Sequence, residues 1–137
     1  MSDDCIFCKI IRGEIPSSKI YEDKDFFAFL DIRPINKGHS LIIPKVHCKG
    51  ILDFPRAEET DFLEVIKKVA GAVVKAVDAD GFNLGMNTGA AAGQIVFHAH
   101  MHIIPRFEGD GLKSWPHKEL SREEMDETHK RILSALK

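Results

Sequence analysis

Residues 97–104 read Phe97-His98-Ala99-His100-Met101-His102-Ile103-Ile104, three histidines alternating with apolar residues and running into an aliphatic pair. Successive side chains of an extended chain point to opposite faces, so a strand here puts His98, His100 and His102 on one face and Phe97, Ala99, Met101 and Ile103 on the other. A helix would scatter them. Same-face neighbours on a strand lie roughly 6 to 7 Å apart, which lets adjacent imidazoles surround a phosphate-sized group. Two other readings compete. Three core histidines would need three separate buried hydrogen-bond partners. A metal site is the stronger rival, because imidazole is the commonest metal ligand and His-x-His on a strand holds zinc well.

The flanks of this stretch read as further strands and helices. Residues 88–93 are Thr88-Gly89-Ala90-Ala91-Ala92-Gly93, a tight loop whose small residues let backbone N–H groups approach an anion, and Phe82-Asn83-Leu84-Gly85-Met86-Asn87 before it reads as a strand. Over residues 55–77, Phe62, Ile66, Val69, Val73 and Val77 follow the 3.6 period, which predicts an amphipathic helix on a sheet, ended near Gly81. Upstream, the apolar run from Phe26 to Asp31 and the β-branched His39-Ser40-Leu41-Ile42-Ile43-Pro44 are separated by the breaker-rich Arg33-Pro34-Ile35-Asn36-Lys37-Gly38. They read as a hairpin, preceded by a short strand at Lys19-Ile20-Tyr21-Glu22. At the far end, Ser121-Arg122-Glu123-Glu124 is a capping box. The helix that follows is expected to bury Met125, Ile132, Leu133 and Leu136.

Composition narrows the function classes. With 137 residues and a 44% hydrophobic fraction, the chain suits one globular domain over residues 1–137. Lys+Arg of 19 against Asp+Glu of 21 gives a net charge of −2, which argues against nucleic acid or an anionic membrane as partner. The acidic Met1-Ser2-Asp3-Asp4 lacks the pattern of a secretion signal, so a cytoplasmic location is expected. Cys5, Cys8 and Cys48 are an odd number in a reducing compartment, which favours Cys5-x-x-Cys8 as half of a metal site over a disulfide framework. These two cysteines sit in Cys5-Ile6-Phe7-Cys8-Lys9-Ile10-Ile11-Arg12, a short helix or turn closed at Gly13.

At His98-Ala99-His100-Met101-His102-Ile103-Ile104 the sequence resembles the histidine triad family, whose signature is His-x-His-x-His followed by two apolar residues. The likeness extends to residues 2–16, Phe29-Leu30-Asp31-Ile32-Arg33-Pro34, the stretch from Gly38 to His47, and Gly93-Gln94. It implies an α+β fold, an antiparallel sheet of about five strands with a central amphipathic helix and a C-terminal helix, assembled as a homodimer. It also implies hydrolysis of a nucleoside monophosphate from a leaving group, a phosphoramidate or a dinucleoside polyphosphate. His100 would be the nucleophile, His102 would assist the leaving group and His39 would orient the pair. Asp31 is placed like the family's ribose-binding acid, and Asn87 would contact sugar or phosphate. Ile32 with Phe29 would line the base pocket, and backbone N–H groups at Gly93, Gln94 and Ile95 would face the phosphate. Cys5, Cys8, His47 and His98 match the pattern by which a subset of the family holds one structural zinc ion per chain. Trp115-Pro116 resembles a C-terminal element that in some members reaches towards the partner's site. The sequence departs from the family at Ile95, where serine or threonine usually contacts the phosphate.

Overall fold

The computed structural model describes residues 4–137, so Met1, Ser2 and Asp3 of the acidic start lie outside the described residues. The elements run α1 (Ile6–Ile11), β1 (Lys19–Glu22), β2 (Phe26–Leu30), β3 (Ser40–Pro44), α2 (Phe62–Val77), β4 (Gly81–Gly85), β5 (Met101–Arg106) and α3 (Arg122–Ala135), with 3₁₀ turns at Ile51–Asp53 and Ala90–Ala92. The strands form one five-stranded antiparallel sheet in the order β1-β2-β3-β5-β4.

Strand periodicity sorts the core into two layers. Phe26, Ala28, Ile42 and Ile103 face α2, where Val65, Ile66, Val69, Ala70 and Val73 meet them at helical spacing. Phe27, Phe29, Leu41 and Ile43 face the other way, against Phe7 and Ile10 of α1. Both faces of β2 and β3 are therefore covered, and this accounts for their unbroken apolar runs. In β5 the register pairs Met101 with Ile42 and His102 with Leu41, so Met101 points to α2 and His102 to the α1 side.

The hairpin of β2 and β3 forms as the sequence predicts, closed beyond the strands by the Asp31 N–H donating to His39 O at 2.9 Å. Its turn returns through Gly38 at φ +87°, where a Cβ would stand 3.0 Å from Val77 and 3.2 Å from Pro105. Only glycine fits a turn pressed this closely between α2 and β5.

Three expectations about element bounds need correction. The helix expected over residues 55–77 begins at Phe62, and the preceding residues form turns in which Arg56 pairs with Glu58. Asp61 makes no side-chain capping bond. The same helix ends at Val77 as expected, with Asp78 itself, ahead of Gly81, taking the left-handed conformation at φ +55°, which aspartate tolerates. The strand of residues 82–87 is Gly81–Gly85. The histidine strand begins only at Met101, because residues 94–100 are tied elsewhere: Gln94 Nε2 donates to Lys49 O and Val96 O, and the Ala99 N–H donates to Cys48 O.

α3 forms with its capping box intact, Ser121 Oγ accepting from the Glu124 N–H and Glu124 Oε1 from the Ser121 N–H, both at 3.1 Å. Its apolar stripe is not buried: Met125, Ile132, Leu133 and Leu136 are all exposed. Residues 111–121, which lead to it, are exposed throughout, so the helix does not fold back onto the sheet.

Candidate active site and metal-binding cluster

The three histidines do face one side, and they divide into two groups around the Phe7 ring. Phe7, on α1, meets His98 edge-on with centroids 5.9 Å apart and His100 at 5.1 Å. His100 and His102 lie 4.9 Å apart, centroid to centroid. The common face expected of a strand survives in the non-strand approach to β5, where His98 and Ala99 are held by other anchors.

The first group is Cys5, Cys8, His47 and His98, brought together from the start of α1, the residues after β3, and the approach to β5. Their donor atoms all lie within 4.8 Å of one another. His98 Nδ1 is 3.3 Å from Cys5 Sγ, 3.5 Å from Cys8 Sγ and 3.2 Å from His47 Nδ1, and Cys8 Sγ is 3.4 Å from His47 Nδ1. A tetrahedral zinc ion with bonds of about 2.3 Å to sulfur and about 2.0 Å to nitrogen requires S···N edges of about 3.6 Å and an N···N edge of about 3.3 Å. The four residues fit that ion. His98 Nε2 donates to Pro44 O at 2.8 Å, which leaves the Nδ1 lone pair aimed into the cluster. Burial also holds His98 below its usual pKa, in the neutral form a ligand needs.

The second group is a chain of hydrogen bonds whose proton positions follow from one backbone contact. The Ile35 N–H donates to His39 Nδ1 at 3.0 Å, so the proton of neutral His39 sits on Nε2. That nitrogen donates to His102 Nδ1 at 2.9 Å, with Asp31 Oδ2 beside it at 3.6 Å. The remaining His102 proton is therefore on Nε2. His100 Nδ1 donates to His98 O at 2.7 Å, so the neutral His100 ring carries its lone pair on Nε2. Burial pushes His39 down from its usual pKa. Burial, with His100 and His39 adding to it, pushes His102 to about 4. The donor atoms of Asp31, His39 and His102 are close enough for a metal, but His39 Nε2 carries its proton, so this trio suits proton positioning better than metal binding.

Sequence reasoning found the imidazoles but missed the groups that fix their tautomers, the Ile35 N–H and the carbonyls of Pro44 and His98. These are backbone atoms, and nothing in residue identity marks them.

The remaining expected residues take mixed places. Asp31, at the end of β2, accepts the Arg33 N–H on Oδ1 at 2.8 Å and flanks His39. Asn87 and His102 line a cleft of about 530 Å³ that also includes Ile104, Arg106 and Trp115. Gly93, at φ +97°, lies against Asn87, whose Nδ2 a Cβ there would meet at 3.3 Å. Gln94 is buried and holds the loop, its Oε1 accepting the Gly89 N–H at 2.9 Å. Ile95 is 86% exposed, Ile32 is exposed, and Phe29 is buried in the α1-side core. Cys48 is buried, and burial raises its thiol to about 11, which keeps it protonated and unreactive.

The buried neutral histidines make stability depend on pH. His102 and His39 bind protons less readily in the folded chain than in the unfolded one, so the unfolded state gains protons as pH falls below about 6.5. Stability is expected to fall by on the order of 2 kcal/mol between pH 6.5 and pH 4 from His102. A His102→Gln variant should flatten part of that slope in urea melts.

Comparison with known proteins matches this geometry to a family. The profile described as HIT domain matches residues 12–109. An adenylylsulfatase from Arabidopsis thaliana is 47% identical over 122 residues, which are 89% of this chain and 61% of the plant protein. The chain thus spans less than two thirds of that relative. An adenosine 5'-monophosphoramidase from Saccharomyces cerevisiae is 44% identical over 134 residues, 96% of this chain and 82% of the yeast protein. A zinc-bound histidine triad family protein from Mycobacterium smegmatis has a TM-score of 0.74 at 39% identity, over 97% of this chain and 95% of that one. With the profile matched across most of its length and such relatives at its side, the chain belongs to the HIT domain, or histidine triad, family.

Proposed function

We propose that this protein is a hydrolase that cleaves a nucleoside monophosphate from its leaving group through a nucleotidyl-histidine. The observation that carries the reading is the proton arrangement around His100 and His102. His100, whose neutral tautomer places the lone pair on Nε2, stands beside a His102 ring whose Nε2 bears a proton. His100 Nε2 attacks the α-phosphorus, its lone pair forming the N–P bond as the bond to the leaving group breaks. His102 Nε2–H hydrogen-bonds a phosphate oxygen and the departing group. Its Nδ1 is held meanwhile by His39, which the Ile35 N–H and Asp31 keep in place. Water then attacks the same phosphorus and loses a proton to solvent as the N–P bond breaks, its electron pair returning to His100 Nε2. Asp31 would accept hydrogen bonds from the ribose hydroxyls. Asn87 would contact sugar or phosphate, exposed Ile32 the base, and the backbone N–H groups of Gly93, Gln94 and Ile95 the transferring phosphate.

Cys5, Cys8, His47 and His98 would hold one zinc ion per chain. Four protein ligands complete its shell, so its chemistry there is structural, pinning α1 to the segment before β5. Identity to relatives described as an adenylylsulfatase and a monophosphoramidase supports an adenylyl substrate. AMP release from adenosine 5'-phosphosulfate and from adenosine 5'-phosphoramidate, with an acid-labile nucleotide label on the protein in a quenched turnover, tests the reading. Failure to release AMP from either would refute it.

Ile95 provides a second test. It is 86% exposed, so Ile95→Ser removes little packing and should shift stability by no more than about 0.5 kcal/mol. A hydroxyl that reaches the transferring phosphate is expected to speed the chemical step about tenfold in single-turnover kinetics. An unchanged rate in a well-folded variant would show that backbone donors suffice there.

A further inference from the structure

The cleft beside His102 runs away from the nucleoside side of the site. His102 and Asn87 line it, whereas Asp31 and Ile32, the residues assigned to ribose and base, do not. A substrate whose ribose sits at Asp31 and whose phosphorus sits at His100 therefore sends its leaving group into this cleft. Along one face of β5 the cleft passes His102, Ile104 and Arg106, about 13 Å of strand.

The charge in that cleft is single and cationic. Its lining contains two permanent cations, Arg106 and Lys113, and no acid. Arg106 is compensated, since its Nε and Nη2 donate to the two Asp110 oxygens at 2.8 and 3.0 Å. Its other contacts, to Asn83 Oδ1 at 2.9 Å and Leu112 O at 3.1 Å, bring the occupied guanidinium donors to four of five. Asp110, held well below the usual carboxylate range chiefly by Arg106, also accepts the Leu112 N–H at 3.0 Å. This clamp fixes the chain at Leu112 and delivers the next residue, Lys113, to the cleft wall. Among the described residues Lys113 forms no ion pair, so its ammonium is the one uncompensated charge facing the leaving group.

Building on the hydrolase reading, we infer that Lys113 is a specificity-determining residue that favours substrates whose leaving group is an oxyanion, sulfate or phosphate, over those that release a neutral amine. Binding separates this inference from turnover. In a His100→Ala background, where the nucleophile is gone, ADP should bind about fivefold tighter than AMP by calorimetry, because its β-phosphate occupies the leaving-group position. Adding Lys113→Ala should bring the ADP to AMP ratio to about one, Lys113→Arg should keep it, and raising salt should narrow it. Equal binding of AMP and ADP, or a ratio that Lys113→Ala leaves unchanged, would overturn the inference.

In otherwise unaltered protein, Lys113→Ala should lower kcat/KM about fivefold for adenosine 5'-phosphosulfate and for ADP, and leave adenosine 5'-phosphoramidate within about twofold. A parallel loss on all three substrates would mean that Lys113 acts on the shared adenylyl half, which also overturns the inference. The two oxyanion substrates differ in source, and the larger effect identifies sulfate or phosphate as the better fit. Absence of turnover on every substrate, with the Lys113-dependent ADP preference intact, would remove the hydrolase reading and leave the anion subsite standing.

Discussion

His100→Ala should lower turnover by at least about a thousandfold while leaving nucleotide affinity within a few fold. The expectation rests on the His100 Nε2 lone pair, freed because Nδ1 donates to His98 O at 2.7 Å. On the proposed mechanism, alanine removes the nucleophile and leaves Asp31, Asn87 and the loop of Gly93, the groups proposed to bind the nucleotide. Quenched turnovers should lose the acid-labile nucleotide label at the same time. Folding is not threatened to the same degree, since the His100 ring packs edge-on against Phe7 and contributes one hydrogen bond, and thermal melts will separate the two effects. Turnover near the unaltered level in a folded His100→Ala protein would remove this residue from the chemistry.

Removal of the metal should produce the largest loss of stability. Protein purified without chelator is expected to contain about one zinc per chain by elemental analysis, and extraction of the ion should lower Tm by about 15 °C or more. Ligand binding of this kind contributes several kcal/mol to folding, and each kcal/mol moves a domain of this size by roughly 3 to 5 °C. Without the ion, two thiols and two imidazoles would face one another within 4.8 Å. Cys8→Ala should reproduce the metal loss, and His98→Ala should also disturb the bond to Pro44 O. Full zinc content in a His47→Ala variant would strike His47 from the ligand set.

The parts of this structure legible in sequence are those governed by apolar patterning. Unbroken apolar runs located β2 and β3, alternation the common face of the histidines, and the 3.6 period the buried stripe of α2. The start of α2 was not legible, because Glu58 and Glu59 suit a helix surface as well as the turns they occupy. α3 shows the same limit. Its spacing reports that one face is apolar, not whether anything in the chain covers that face. The site was legible as residue types, while its proton positions depended on backbone atoms delivered by distant segments. Ile95 shows how burial can reverse an argument: the packing cost conceivable for a β-branched residue largely disappears once its side chain is seen in solvent.

Cys8 and His98 stand 90 positions apart in the chain and 3.5 Å apart in space. Bringing two such points together costs a flexible chain about 4 kcal/mol of closure entropy before any contact offsets it. Contacts of this separation slow folding, because the search must finish before they stabilise anything. A newly made chain can cover Phe7 and Ile10 of α1 with Phe27, Phe29, Leu41 and Ile43 as soon as β3 has been made, but Cys5 and Cys8 wait for His98. In that interval the order of events during synthesis, and the supply of ions able to clasp the thiols, would decide how long the two cysteines stay open to other partners.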